Sequence, residues 1–149
     1  MSTDIVLDNN IAKWNMPRME GDLGGTYIGT FTFKCYLSPL TQLQAGREFR
    51  ELLGNLGSQA PNGEIDLAFA LTQLKHRIIT APAFWTSTLE ESGIAGNIGD
   101  MNVVSAVLDA SIRSENLFKE KVAKERELLL DRSIKVGEEI LVERQKEEG

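Results

Sequence analysis

A single cysteine, Cys35, and a single histidine, His76, are all that this chain offers to thiol or imidazole chemistry. One cysteine excludes a disulfide scaffold within the chain. A zinc site needs several well-spaced Cys, His or carboxylate ligands, and a nucleophilic triad needs a base beside its nucleophile. His76 stands between Lys75 and Arg77, as on the polar side of a helix, and Cys35 alternates with aromatic residues as a small core residue does. No apolar run approaches the roughly 18 residues that a transmembrane helix requires. Nor is there an excess of positive charge: the net charge is −6, whereas a general nucleic-acid binder needs a basic face to displace counterions. The segment Met1–Asn10 is polar and acidic, without the basic and apolar regions of a signal peptide.

What is present suits a soluble globular protein. Hydrophobic residues make up 42% of the chain, enough for a real core, and 149 residues predict one domain. The strongest strand signal is the run 26–37, where Tyr27, Phe31, Phe33, Cys35 and Leu37 fall on one face and Thr30, Thr32 and Lys34 on the other. Ser38-Pro39 then gives an N-cap followed by a first-turn proline, and Gly54 a C-terminal stop, so a helix is expected over 39–53. Its apolar stripe is read as Leu40, Leu43, Phe49, Leu52 and Leu53, followed by a loop over Asn55–Gly63. A second helix is expected over 64–79 on Leu67, Leu71, Leu74 and Ile78, ended by Ala81-Pro82. A third is expected over 100–145, capped by Asp100 and opening with Val103, Val104, Val107, Leu108 and Ile112.

The expected fold class is therefore mainly α with a small β element, an α+β arrangement. Residues 1–25 are expected as an extended N-terminal arm, 26–115 as a compact helical core with one strand, and 116–149 as a charged projecting C-terminal helix. The arm reads either as a disordered terminus or as a segment that lies on another chain, anchored by Trp14, Met16 and Met19. A lone strand leaves its backbone donors and acceptors unpaired. Its partner is expected in a neighbouring chain or in residues 4–8 rather than in any later segment, with its apolar face covering the helix of 64–79. Trp14, Met16, Met19, Tyr27, Phe31 and Phe33 are thus the candidate partner-binding residues. In the last segment Glu120 with Lys124 and Asp131 with Lys135 have the favourable helical spacing, and Phe118, Val122, Leu129, Val136 and Ile140 leave a thin apolar seam like that of an irregular coiled coil.

Gly93-x-x-Gly96-x-x-Gly99 precedes a helix but lacks both the lysine of a phosphate-binding loop and a strand feeding it, so it reads as a connector. No catalytic residue, cofactor or metal ligand set emerges, and the chain is expected not to be an enzyme.

Four stretches carry a resemblance: Leu37-Ser38-Pro39-Leu40, Phe49-Arg50-Glu51-Leu52-Leu53-Gly54, Leu67-Ala68-Phe69-Ala70-Leu71-Thr72-Gln73-Leu74 and Ala81-Pro82-Ala83-Phe84-Trp85. Together, over about residues 30–85, they resemble structural-module proteins of tailed bacteriophages, both virion structural proteins and tail assembly chaperone-like proteins. The resemblance implies a non-enzymatic role through protein–protein contacts, with other virion proteins or further copies of the chain as partners, and neither nucleic acid nor membrane. It implies location in the virion for a structural component, or in the host cytoplasm for an assembly chaperone. A small regulatory or enzyme-accessory protein is the alternative from another class.

Overall fold

The computed structural model describes residues 4–54 and 62–148, with side chains up to Gly137. The fold is mainly helical, with a four-stranded antiparallel sheet. The strands are β1 (Ile5–Asp8), β2 (Ile11–Glu20), β3 (Thr26–Lys34) and β4 (Ile78–Thr80); the helices are α1 (Pro39–Leu53), α2 (Asn62–Arg77), α3 (Ala83–Thr86) and α4 (Met101–Glu148). The chain divides into two compact units, Met1–Glu115 and Asn116–Gly149.

In the first unit the sheet runs in the order β1-β2-β3-β4. A two-residue turn joins β1 to β2, with Asp8 opposite Ile11 and Asn9 in the left-handed region at φ 55°, a conformation asparagine tolerates. β2 then pairs along β3, Trp14 opposite Phe31 and Ala12 opposite Phe33. Between Met16 and Met19 the register slips by one residue. Pro17 and Arg18 sit in that bulge, where the missing N–H of proline breaks no regular ladder. The expected N-terminal arm of residues 1–25 is thus corrected: its described part forms two strands of the chain's own sheet. The partner of β3 is corrected with it, since residues 5–8 pair with β2, and β3 lies between β2 and a later segment, β4.

β4 also corrects the helix expected over 64–79, which occupies Asn62–Arg77. Two β-branched isoleucines and Thr80 precede the Ala81-Pro82 break, and the strand conformation gives them a ladder with β3. Thr80 N–H donates to Thr32 Oγ1 at 3.0 Å, and the two hydroxyls lie 2.6 Å apart. The expected strand of 26–37 ends at Lys34, although Cys35 and Leu37 beyond it are buried as the alternation requires. The loop expected at Asn55–Gly63 lies, apart from its last two residues, outside the described residues.

α1 forms where its caps predict. Ser38 Oγ accepts from Thr41 N–H, and the N–H of Gly54, at φ 64°, closes onto the carbonyls of Arg50 and Glu51. α4 opens at Asp100, whose Oδ1 accepts from Asn102 N–H at 2.9 Å. The Asp100 Oδ2 accepts from Asp22 N–H, so the turn between β2 and β3 is bonded to the start of α4.

The core of this unit is built on one sheet face. Trp14 and Met16 of β2 are 3% and 4% exposed, and Phe31 and Phe33 of β3 are fully buried. Trp14 lies 5.5 Å from Phe31 between ring centroids, Phe33 lies 5.8 Å from Phe31, and Trp85 of α3 meets Phe31 edge-on at 5.8 Å. Ala68, Ala70, Leu71, Thr72 and Leu74 are buried from α2, and Val103, Val104, Val107, Ala110, Ser111 and Ser114 from α4. The α4 face differs from the expected one: Ile112 is exposed, and two serines take core positions. Ser114 is accommodated by donating its hydroxyl to the Ala110 carbonyl at 2.7 Å.

The second unit is the helical segment from Asn116. From Ala123 to Gly137 every residue is exposed, among them Leu128, Leu129, Leu130, Ile134 and Val136. The side chain of Ile140, expected in the seam, lies outside the described residues.

Candidate functional site

The six residues expected to bind partners are placed by the sheet. Trp14, Met16, Phe31 and Phe33 are interior, and Met19 and Tyr27 are half-buried at its margin. Tyr27 packs edge-on against Phe84 at 5.2 Å. Trp14 Nε1–H donates to Asp4 Oδ2 at 3.0 Å, so even its polar edge has an internal partner. Trp14, Met16, Phe31 and Phe33 build the core of their own chain, which corrects their assignment to an arm-and-strand contact surface. Aromatic and methionine side chains are what cores and interfaces share, and β2 supplies the pairing that makes this a core.

Outward-facing apolar residues lie elsewhere. Where the β1–β2 turn, the end of β3, β4 and the start of α1 meet, Asn10, Ile11, Lys34, Tyr36, Leu37, Ser38, Thr41 and Ile79 line a shallow cleft. Ile11, Tyr36 and Ile79 are exposed, although each is a residue type that favours burial. Elsewhere on the surface, α1 presents Leu40 and Leu43, which are 67% and 71% exposed and lie on one helical face. The sequence reading had placed both in the buried stripe of α1. In the structure the inward row is Ala45, Glu48, Phe49 and Leu53, and Ala45 alone in the helix is fully buried. The signal for this was available: at helical spacing, Leu40 and Leu43 fall opposite the row of Ala45, Phe49 and Leu53.

A polar clasp holds α1 to α2. Glu48 Oε1 pairs with Lys75 Nζ at 2.7 Å, and Glu48 Oε2 lies 2.8 Å from His76 Nε2. Burial pushes the Glu48 carboxyl up, but the hydrogen bonds from Lys75 and His76 outweigh it and hold the group below its ordinary value. His76 is thereby committed to a structural partner, while Cys35 is fully buried in another part of the unit's sequence. A second clasp ties β1 to α4: Arg113 Nη1 meets Asp4 Oδ2 at 3.2 Å and Arg113 Nε meets Asp109 at 3.0 Å. Desolvation opposes ionisation of Asp4, and the hydrogen bonds from Trp14 and Arg113 overcome it, so this carboxyl too is held low.

The connector of Gly93, Gly96 and Gly99 folds back on itself, Glu90 N–H donating to the Ile94 carbonyl at 2.8 Å, with Ile94 and Ala95 buried. Among the described residues, no group of three or more His, Cys, Asp or Glu side chains is arranged to hold a metal ion, and no helix is long and apolar enough to cross a membrane. The cleft at Ile11, Tyr36 and Ile79, with Lys34 at its edge, is suited to binding by apolar contact with one charged anchor, and the Leu40–Leu43 pair on α1 offers a separate apolar contact. Comparison of the chain with protein-family models, with curated proteins and with solved structures finds no match.

Proposed function

We propose that the protein is a non-enzymatic component of a tailed-bacteriophage particle that acts through protein–protein contacts. The observation that carries this reading is the outward placement of large aliphatic side chains on well-formed elements: Leu40 and Leu43 on α1, Ile11 and Ile79 at the sheet end, and Leu129 and Val136 in the second unit. Scattered single apolar residues on a surface need no explanation, but pairs on one helical face invite a partner. The resemblance of residues 30–85 to phage structural-module proteins supplies the kind of assembly. Partners are then other virion proteins.

The same surfaces serve the alternative, an assembly chaperone that covers a virion protein in the host cytoplasm and departs. Mass spectrometry of purified particles separates the two. A structural component is present at a fixed ratio to the other virion proteins, whereas a chaperone is missing from particles whose assembly fails without it. Normal particle yield and form after deletion of the gene would overturn both, and would favour a small regulatory or accessory protein.

A further inference from the structure

We propose that the second unit is a dimerisation element, in which the helical segment of one copy packs antiparallel against that of a second copy about a two-fold axis through Leu129. This inference does not depend on the phage reading and would hold in any assembly.

The first argument is the row of apolar side chains. Val122, Leu129 and Val136 recur every seven residues, and in the sequence Phe118 and Ile140 extend the row by four residues at either end. At about 100° per residue, all five fall within about 40° of one line along the helix. The spacing 4-7-7-4 reads the same in both directions. An antiparallel two-fold at Leu129 therefore sets Leu129 on its own copy and Val122 opposite Val136. Leu129 and Val136 are 61% and 54% exposed, so these two positions of the row lie open among the described residues. In proteins, packing of an apolar row rather than intrinsic propensity ordinarily supplies most of a helix's stability.

The second argument is charge, which chooses the direction of pairing. Glu125 and Arg132 are exposed and lie on the same flank of the row. Arg132 has Leu128, Leu129, Lys135 and Val136 at the positions three and four residues away, so its own helix offers no carboxylate at pairing distance. About the two-fold, Glu125 stands about 6 Å and Arg132 about 4.5 Å from the axis along the helix, one before Leu129 and the other after it. Antiparallel packing brings like flanks together, so Glu125 of each copy faces Arg132 of the other, twice per dimer. Parallel, in-register packing brings opposite flanks together, so Glu125 and Arg132 of one copy would lie across the apolar row from those of the other and this pairing would be lost. Leu130 and Ile134 lie about 100° or more around the helix from the row and stay outside the contact.

Sedimentation equilibrium of the full chain tests the proposal. A dimer is expected in the micromolar range. Leu129→Glu should give a monomer that keeps its near-ultraviolet circular dichroism, since Trp14 and Trp85 report the first unit separately. Glu125→Arg and Arg132→Glu should each weaken the dimer roughly tenfold, as each breaks two exposed ion pairs and sets like charges together. The double variant should recover most of that loss, and Ile134→Ser should change nothing. A monomer at all accessible concentrations, an assembly larger than two, a dimer that survives Leu129→Glu, or charge reversals that fail to rescue one another would each overturn it.

Discussion

Asp4 and Arg113 lie 109 positions apart in the sequence and meet in an ion pair of 3.2 Å, with the Trp14 indole bonded to the same carboxylate oxygen. The start of the chain is thereby fastened to α4. Asp4→Ala removes the partner of a buried indole N–H and one arm of the Arg113 clasp. The expected loss is about 1–3 kcal/mol, the cost of leaving such a donor unsatisfied, read as a lower urea midpoint at unchanged slope. Deleting residues 1–20 should go further and prevent the first unit from folding, because it removes β1, β2 and with them Trp14 and Met16. A deletion variant with cooperative unfolding and native near-ultraviolet dichroism would contradict this placement.

The two low carboxyls, Asp4 and Glu48, predict the direction of acid sensitivity. A group whose folded pKa lies below its unfolded value contributes stability that is complete above the unfolded value. That contribution is lost as pH falls through the folded one. Stability should therefore be level near neutrality and decline from about pH 4 downward, where unfolded Asp and Glu begin to bind protons. Glu48→Gln should lower the stability at neutral pH and make the acid decline shallower. Thermal midpoints measured across the acid range in wild type and variant check both; parallel curves would show that Glu48 does not couple folding to pH.

Two glycines should respond in opposite senses to alanine. A Cβ on Gly29 would stand 2.6 Å from both Cβ and Cγ of Pro82, at the point where β3 passes the segment following β4. Neither the strand nor the proline ring can yield cheaply, so Gly29→Ala should destabilise by about 1–3 kcal/mol. A Cβ on Gly137 meets nothing within 4 Å and lies inside α4. Gly137→Ala should raise helix content, with an intrinsic gain of about 1 kcal/mol. Far-ultraviolet dichroism and thermal unfolding of the two variants make the comparison.

How far the fold could be read from sequence differs from element to element. α1 was fully specified by its ends, because Ser38-Pro39 and Gly54 are local signals that act without tertiary help. β3 was clear from its alternation. β2 carries the same alternation, Ala12, Trp14 and Met16 inward against Lys13 and Asn15 outward, but the bulge at Pro17-Arg18 shifts the phase before Met19 and conceals it. β4 is three residues long and exists through its ladder to β3, a long-range contact that no local pattern announces. Two serines share the buried face of α4 with its valines: Ser114 bonds its hydroxyl within its own helix, whereas the buried Ser111 hydroxyl has no hydrogen-bond partner among the described residues. The candidate surface was misread for a related reason: once β2 pairs with β3, the aromatic residues turn inward, and the exposed apolar side chains are plain aliphatics such as Leu40 and Leu43.

That exchange can be measured by substituting both groups. Phe33 is fully buried, in contact with the Phe31 and Trp14 rings, so Phe33→Ala should cost about 3–5 kcal/mol through lost burial and the cavity left behind. Leu43 is 71% exposed, and Leu43→Ser, alone or with Leu40→Ser, should leave the urea midpoint almost unchanged, within about 0.5 kcal/mol per site. If α1 is a contact surface and the protein has the proposed role in a phage particle, the leucine variants should nevertheless reduce particle yield when they replace the wild-type protein. Loss of stability and loss of assembly would then separate onto different residues. Leucine variants as stable as wild type that assemble particles at the normal yield would remove α1 from the contact surface and leave the sheet end at Ile11 and Ile79, together with the second unit, as the places where a partner binds.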